Sequence, residues 1–328
     1  MHSIEQLKSG LTATLAEIGL VRASGEDAVT FLHGQLSHDV AGLAPDEARF
    51  AGYCTPEGRL LATLLVWKSE DGVRLLMPRE ILPSLVQRLR MYVLRARVTL
   101  TDVSDDFAVT GFAGKKAREA LASVLQTLPA RVFGRTDGPW GTLIRIRDAF
   151  DDARFLQIAP LEGTRFIPPA LSSTLVSGDD ADWELGEIEA GMPQIYAATQ
   201  NRFVPQMVNM EQLDGMSFKK GCYPGQEVIA RTQYRGKLAR RMVAAHADMP
   251  GNANARESGI TPGLEIVDAA TNAPCGILVR AARRDEKRMD CLIVIPKEAF
   301  ASKSLHLGAP DGPKLFLDPL PYALPDEI

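Results

Sequence analysis

A repeated order of elements constrains this chain more than any other feature. Leu20-Val21-Arg22-Ala23-Ser24-Gly25 leads into helical spacing through Ala28, Phe31, Leu32 and Leu36; Val109-Thr110-Gly111-Phe112-Ala113-Gly114 leads into the same spacing through Ala117, Ala120, Leu121 and Leu125. Both stretches predict strand, glycine turn and helix. Two strand-like runs and a further helix follow in each half: Leu61 to Trp67, Val73 to Met77 and Ile81 to Leu94, then Thr142 to Ile146, Arg154 to Ala159 and Thr164 to Leu175. The second run of each pair stops at a proline, Pro78 or Pro160, which cannot donate to a ladder. The repeat predicts two related α+β units, 1–100 and 101–182, facing one another across a pocket.

At 328 residues the chain exceeds one ordinary core. Residues 176–182 read as a polar linker, Trp183 to Gly191 as a short amphipathic helix and Phe203-Val204-Pro205-Gln206 as extended, within a segment 183–240 that packs back on the α+β units. From Arg241 the pattern changes to short strands, Met242 to Ala247, Leu264 to Val267, Gly276 to Arg280, Cys291 to Ile295 and Lys314 to Leu317, punctuated by Pro-Gly turns. That is the pattern of a small antiparallel β-barrel over 241–328.

A formal net charge of -4 argues against a general nucleic-acid binder. There is no apolar run long enough to span a membrane, and Met1 to Lys8 lacks the cationic and apolar regions of a signal peptide, so a cytoplasmic location is expected. Cys54, Cys222, Cys275 and Cys291 form no C-x-x-C pair, which speaks against a zinc site, a disulfide framework or a permanently bound metal or cluster. The charge is unevenly spread: from Lys219 to Arg241, Lys219, Lys220, Arg231, Arg235, Lys237, Arg240 and Arg241 face only Glu227. This is either an anion-binding face or a solvated helix with an ordinary Glu227–Arg231 pair.

Within that basic stretch lies Lys219-Lys220-Gly221-Cys222-Tyr223-Pro224-Gly225-Gln226-Glu227. Two ammonium groups and a helix start beside Cys222 favour a thiolate, with Lys220 as its activator. Gly221 and Gly225 would permit close backbone approach, Gln226 and Glu227 would serve the helix start, and Tyr223 would either flank a ligand or pack in the core.

The run resembles the K-G-C-Y-x-G-Q-E signature of the YgfZ family of folate-binding proteins, relatives of the aminomethyltransferase (T-protein) of the glycine cleavage system, and every fixed position is present. Leu185-Gly186-Glu187-Ile188-Glu189-Ala190-Gly191-Met192-Pro193 resembles the E-A-G-x-P element of both groups, Phe31 to Val40 their F-L-x-x-Q-x-x-x-D-V element, and Gly52 to Arg59 a shared glycine turn. The resemblance implies a GcvT-like, three-lobed arrangement around a central tetrahydrofolate cleft. It assigns the pterin edge to Glu189, with Arg231 a candidate for the anionic tail and Tyr223 for the ring.

In the aminomethyltransferases the strand after the glycine turn carries paired aspartates. Here Leu61 and Ala62 stand in their place, and neither can carry a proton. Losing such a group costs a factor on the order of 10² to 10⁴, so a fold retained without its original reaction is expected. The resemblance implies instead an accessory role in [4Fe-4S] cluster assembly or repair for client enzymes, including radical enzymes that modify tRNA. Cys222 would be a transient cluster ligand, with the other thiols coming from iron-sulfur carrier proteins or clients. The competing readings are a folate-dependent one-carbon transferase using different residues, and direct RNA binding through the basic segment.

Overall fold

The computed structural model describes residues 2–125, 127–162, 174–235 and 238–325. Helix α1 (Ile4–Ser9), closed at its start by a Ser3–Gln6 capping box, leads into strand β1 (Leu11–Thr14). The first sheet then forms from β2 (Ile18–Ser24), β3 (Ala48–Cys54), β4 (Leu60–Ser69), β5 (Gly72–Pro78) and β6 (Thr99–Asp102), with α2 (Ala28–His33) after β2 and α3 (Leu82–Arg90) after β5. Its order is β3-β4-β5-β2-β6, antiparallel throughout. The second sheet contains β7 (Phe107–Ala113), β8 (Arg135–Gly138), β9 (Gly141–Ala149), β10 (Asp152–Pro160) and β11 (Val176–Gly178), with α4 (Lys115–Val124) after β7.

The second sheet's order is β8-β9-β10-β7-β1-β11. The run β8-β9-β10-β7 matches β3-β4-β5-β2 strand for strand, so the repeat in the sequence is a repeat of topology. The difference lies at one edge: β1 leaves the unit in which the chain begins and inserts beside β7, with β11 parallel to it. The expected linker 176–182 is therefore structured. Val176–Gly178 pairs with Leu11–Ala13, and Asp179 caps the next helix, α5 (Asp180–Glu189), by accepting from the backbone of Ala181 and Asp182. That cap starts the helix ahead of the expected Trp183. Pro205 and Gln206, expected to be extended with Phe203 and Val204, instead begin a 3-10 turn, Pro205–Val208, that ends at Asn209 in the left-handed region. Of the helix expected from Thr164 to Leu175, all but Thr174 and Leu175 lies outside the described residues.

Period-two burial shows how the layers stack. On β4, Leu65 and Trp67 join the shared core while Leu64 and Val66 face α2 and α3; on β10, Leu156 and Ile158 join the shared core while Ala153 and Phe155 face α4. The inner faces of the two sheets thus bury one core, which Trp183, Leu185 and Ile188 of α5 help to close. On α3, Leu82, Leu85, Val86 and Leu89 form the apolar stripe that covers the outer face of the first sheet.

The C-terminal region adds an antiparallel sheet of β12 (Arg240–Asp248), β13 (Glu265–Asp268), β14 (Ala273–Arg283), β15 (Arg288–Pro296), β16 (Leu305–Leu307) and β17 (Leu315–Asp318), in the order β16-β13-β14-β15-β12-β17. A single His306–Lys314 bridge links the two ends of that order. This sheet docks on α5 through buried charge. Arg280 at the end of β14 reaches Glu184 and Glu187, and Arg284 just beyond it pairs with Glu189.

Candidate functional site

All three sheets and α5 surround a cavity of about 1010 Å³. Leu64, Leu65, Leu76 and Met77 line it from the first sheet, Phe133, Ile146 and Leu156 from the second unit, and Arg280 to Arg283 from the third. Polar side chains line it on and just after α5, at Glu184, Glu187 and Tyr196, and elsewhere at Glu17, Glu80, Asn254 and Arg256. An apolar slot with a few convergent polar groups is the usual form of a small-molecule site.

The polar wall at α5 is one coupled network. Arg154, fully buried, donates to the Arg147 carbonyl at 2.9 Å and to Glu187 Oε1 at 2.8 Å, and lies over the Trp183 ring. Arg280 donates to Glu184 Oε2 at 3.1 Å, and the Tyr196 hydroxyl donates to the same oxygen at 3.3 Å. Burial raises the pKa of Glu184, against the pull of Arg280, and burial lowers that of Arg154. Burial also opposes the charge on Arg280, but Glu184, Tyr196 and Glu187 outweigh it and raise its pKa. Both oxygens of Glu187 are committed, to Arg154 and Arg280. Glu184 commits one; among the described residues no hydrogen bond reaches its Oε1, leaving an acceptor for a ligand in the cleft.

Glu189 is placed differently from its expected role. It forms an ion pair with Arg284, which also holds Asp290, and it does not line the cavity. Helical geometry explains this: Glu184 and Glu187 are three apart on one face of α5, and Glu189 is offset by two residues from Glu187. Arg231, Tyr223, Lys220 and Cys222 are also absent from the lining. The structure therefore separates the expected residues into two places, the α5 wall of the cleft and a motif region outside it. Leu61 and Ala62 lie on β4, Ala62 fully buried, so no acid replaces the missing pair at those positions.

The motif region is a docking joint. Gly225, with φ of 81°, packs on the turn between β3 and β4: a Cβ there would lie 2.5 Å from Gly58 Cα and 2.5 Å from the Thr55 carbonyl oxygen. Gly58 is itself at φ 74° and lies against Val228 and Ile229 of α6 (Gln226–Arg235). A glycine pair is what lets this helix sit on the turn. Gly221 carries no such demand, because its nearest neighbour, His33 Nε2, is at 3.6 Å, an ordinary contact.

Lys220 turns inward. Its ammonium donates to the carbonyls of His33 and Leu36, at the end of α2, and sits 4.9 Å from the Tyr223 ring centre. Burial lowers its pKa to about 8, opposed by Asp39 and Cys222. Tyr223 is buried in the shared core, and its hydroxyl has no hydrogen-bond partner among the described residues. Burial raises its pKa. Ser37 completes the joint by donating to the Gly215 carbonyl at 2.7 Å while accepting from the Gly52 amide at 2.7 Å. With these neighbours anchored, Cys222 is exposed, whereas Cys54 and Cys291 are buried. The Gln226 amide is used on the Tyr223 carbonyl, Glu227 and Arg231 are exposed, and no Glu227–Arg231 ion pair occurs among the described residues.

Sequence reasoning missed Glu184, Glu187, Tyr196, Arg154 and Arg280. The Glu-x-x-Glu spacing on a helix with an apolar opposite face was a signal for the first two. Nothing local marks Arg154 or Arg280, which meet α5 only through the tertiary fold.

The fold is that of an aminomethyltransferase. The structure matches the glycine cleavage system aminomethyltransferase T from Bartonella henselae with a TM-score of 0.70, covering 97% of this chain and 88% of that one at 14% sequence identity. No family model matches the sequence. The chain is 30% identical over 313 residues to the tRNA-modifying protein YgfZ of Sodalis glossinidius (strain morsitans), covering 95% of this chain and 92% of that protein. It is 28% identical to the protein of the same name from Serratia proteamaculans (strain 568), over 96% of this chain and 93% of the relative. This chain belongs to the YgfZ family.

Proposed function

We propose that this protein binds tetrahydrofolate in the central cleft and acts as an accessory factor in [4Fe-4S] cluster assembly or repair, in support of enzymes that modify tRNA. The name shared by its relatives favours the link to tRNA modification. In this reading the molecule is three-lobed, with the C-terminal sheet closed as a small barrel and the ligand at the junction.

The cleft suits a folate on physical grounds. Apolar side chains from two sheets flank a flat ring, and Glu184 Oε1 is a free acceptor for the N–H edge of a pterin. Arg256, exposed among the lining residues, suits the anionic tail better than Arg231 does. Aminomethyl transfer is not part of this reading, since Leu61 and Ala62 offer no proton carrier.

The observation that carries the proposal is Cys222: an exposed thiol on a segment whose flanking residues Lys220, Tyr223 and Gly225 are fixed by buried contacts. A single thiol cannot hold a four-iron cluster, so the cluster is cargo completed by partner thiols. The test is tRNA methylthiolation by a [4Fe-4S] radical enzyme in a deletion strain. Wild type should restore it and Cys222→Ala should not, with tetrahydrofolate affinity and folding unchanged. Full restoration by the alanine variant would make the cysteine structural and the cluster role wrong.

A further inference from the structure

The exposed part of the cleft lining carries mainly one sign of charge. Glu17, Glu80, Asp179 and Glu257 are its exposed acids, and among the described residues Arg256 is its one exposed cation. Over the whole described lining, eight carboxyls stand against three arginines and His2. The other two arginines are buried and already engaged: Arg280 with Glu184 and Glu187, Arg283 with the carbonyls of Ala253 and Met249.

Hydrogen bonds join these groups into one rim. The Glu17 amide donates to Asp180 Oδ1 at 3.3 Å, the Glu17 carbonyl accepts from the Arg79 amide at 2.8 Å, and Arg256 reaches the Glu17 carboxylate at 3.7 Å. Glu80, next to Arg79, accepts from the Ala197 amide at 2.6 Å; the neighbouring Tyr196 bonds Glu184. The rim therefore adjoins the α5 wall.

Little within the rim cancels its charge. Asp179 accepts from the amides of Ala181 and Asp182, and Glu257 from the amide of Asn254 at 2.9 Å, bonds that fix a carboxylate but leave it negative. The Glu17–Arg256 pair is 61% and 76% exposed, so solvent screens it. Arg79 lies outside the lining and pairs with Asp105. Asp180 registers the resulting field: burial raises its pKa, and the charges of Glu17 and Asp179 raise it further. Among the described residues no three acids or histidines converge as a metal site requires, so the rim is not built around a cation.

We propose that this rim selects the short-tailed form of the ligand: the cleft takes tetrahydrofolate carrying one glutamate and disfavours forms carrying a γ-linked chain of several. The inference rests on the folate reading above. A single glutamate can set a carboxylate on Arg256, whereas each further one adds a negative charge that meets only carboxylates. Space is not the limit, since about 1010 Å³ is at the upper end for a small-molecule site. At about 10 Å in water-like surroundings, each pair of like charges weakens binding by roughly twofold. With four exposed carboxylates against Arg256, two added glutamates should weaken binding by at least about tenfold at low salt.

The experiment is calorimetry with the monoglutamate and triglutamate of tetrahydrofolate, on wild type and on the double variant Glu80→Gln, Glu257→Gln. Glutamine keeps an oxygen to accept from Ala197 or Asn254 and loses only the charge. Each titration is run at about 0.01 M salt, where the Debye length is roughly 30 Å, and at about 1 M, where it is roughly 3 Å. Wild type should prefer the monoglutamate at least about tenfold at low salt, and both high salt and the double variant should shrink that ratio several-fold. Equal or tighter binding of the triglutamate overturns the inference and leaves the folate reading standing. A preference that neither salt nor the variant reduces is steric and overturns it too; should the variant not fold, the salt series on wild type decides alone. If wild type binds neither form, the folate reading itself falls and the inference with it.

Discussion

Gly225→Ala tests whether the motif glycine is a packing requirement. The new Cβ would sit 2.5 Å from both Gly58 Cα and the Thr55 carbonyl oxygen, and both obstacles are backbone that cannot rotate away. Alanine at φ of 81° adds strain on the order of 1 to 2 kcal/mol. Forcing the turn and helix apart adds roughly 1 to 3 kcal/mol. The sum, about 2 to 5 kcal/mol, exceeds what a single short helix contributes on a surface, so detachment of α6 is expected before global unfolding. The assay is native-state hydrogen exchange across α6 and the β3–β4 turn, with Gly221→Ala as control. The control's Cβ meets only His33 Nε2 at 3.6 Å, and it should change protection little. In Gly225→Ala, amides of 226–235 should lose protection by at least tenfold while β9 and β10 keep theirs, the minimum corresponding to about 1.4 kcal/mol. Equal protection in the two variants would refute the glycine-pair account of the motif.

Lys220→Met tests the buried ammonium. Because the folded pKa, about 8, is below the unfolded value of 10.5, the unfolded chain binds more protons between them, and wild-type stability gains from this group as pH rises through that window. Denaturant unfolding from pH 7.5 to 10.5 should show this rise in wild type and lose it in the variant; parallel curves would contradict it. Glu184→Gln should weaken tetrahydrofolate binding by roughly 1.5 to 3 kcal/mol in calorimetry, while Glu189→Ala, which loses only Arg284, should leave it nearly unchanged; the reverse order would return the pterin edge to Glu189. Mass-resolved iodoacetamide labelling at neutral pH should proceed in the order Cys222, then Cys275, then Cys54 and Cys291. Burial raises the Cys54 thiol to about 12 and shields it, so early labelling of Cys54 would show that the joint over it is open.

The sequence by itself determined the repeat of α+β topology, the strand-rich C-terminal sheet and the helix that follows Pro224-Gly225. Each depends on local rules: period-two burial on β4 and β10, an i, i+3, i+4 stripe on α3, and glycines where the backbone turns. It also marked Cys222 as unlike the other cysteines, because polar neighbours are poor company for a core thiol. What it could not determine was every assignment that depends on which parts of the chain meet. Lys220 reads locally as a partner for Cys222, yet its ammonium is spent on carbonyls at the end of α2, some 184 to 187 positions away in sequence. Glu189 reads as the cleft acid, yet Arg284, 95 positions on, takes it, and Glu184 is left facing the cleft. Strand β1 crosses to the second sheet, where it lies between β7 and β11, a pairing no local pattern in residues 11–14 announces. Backbone propensity is a property of neighbours in sequence, but a charged side chain takes the partner that lowers its desolvation cost, and only the assembled core decides which partner is within reach.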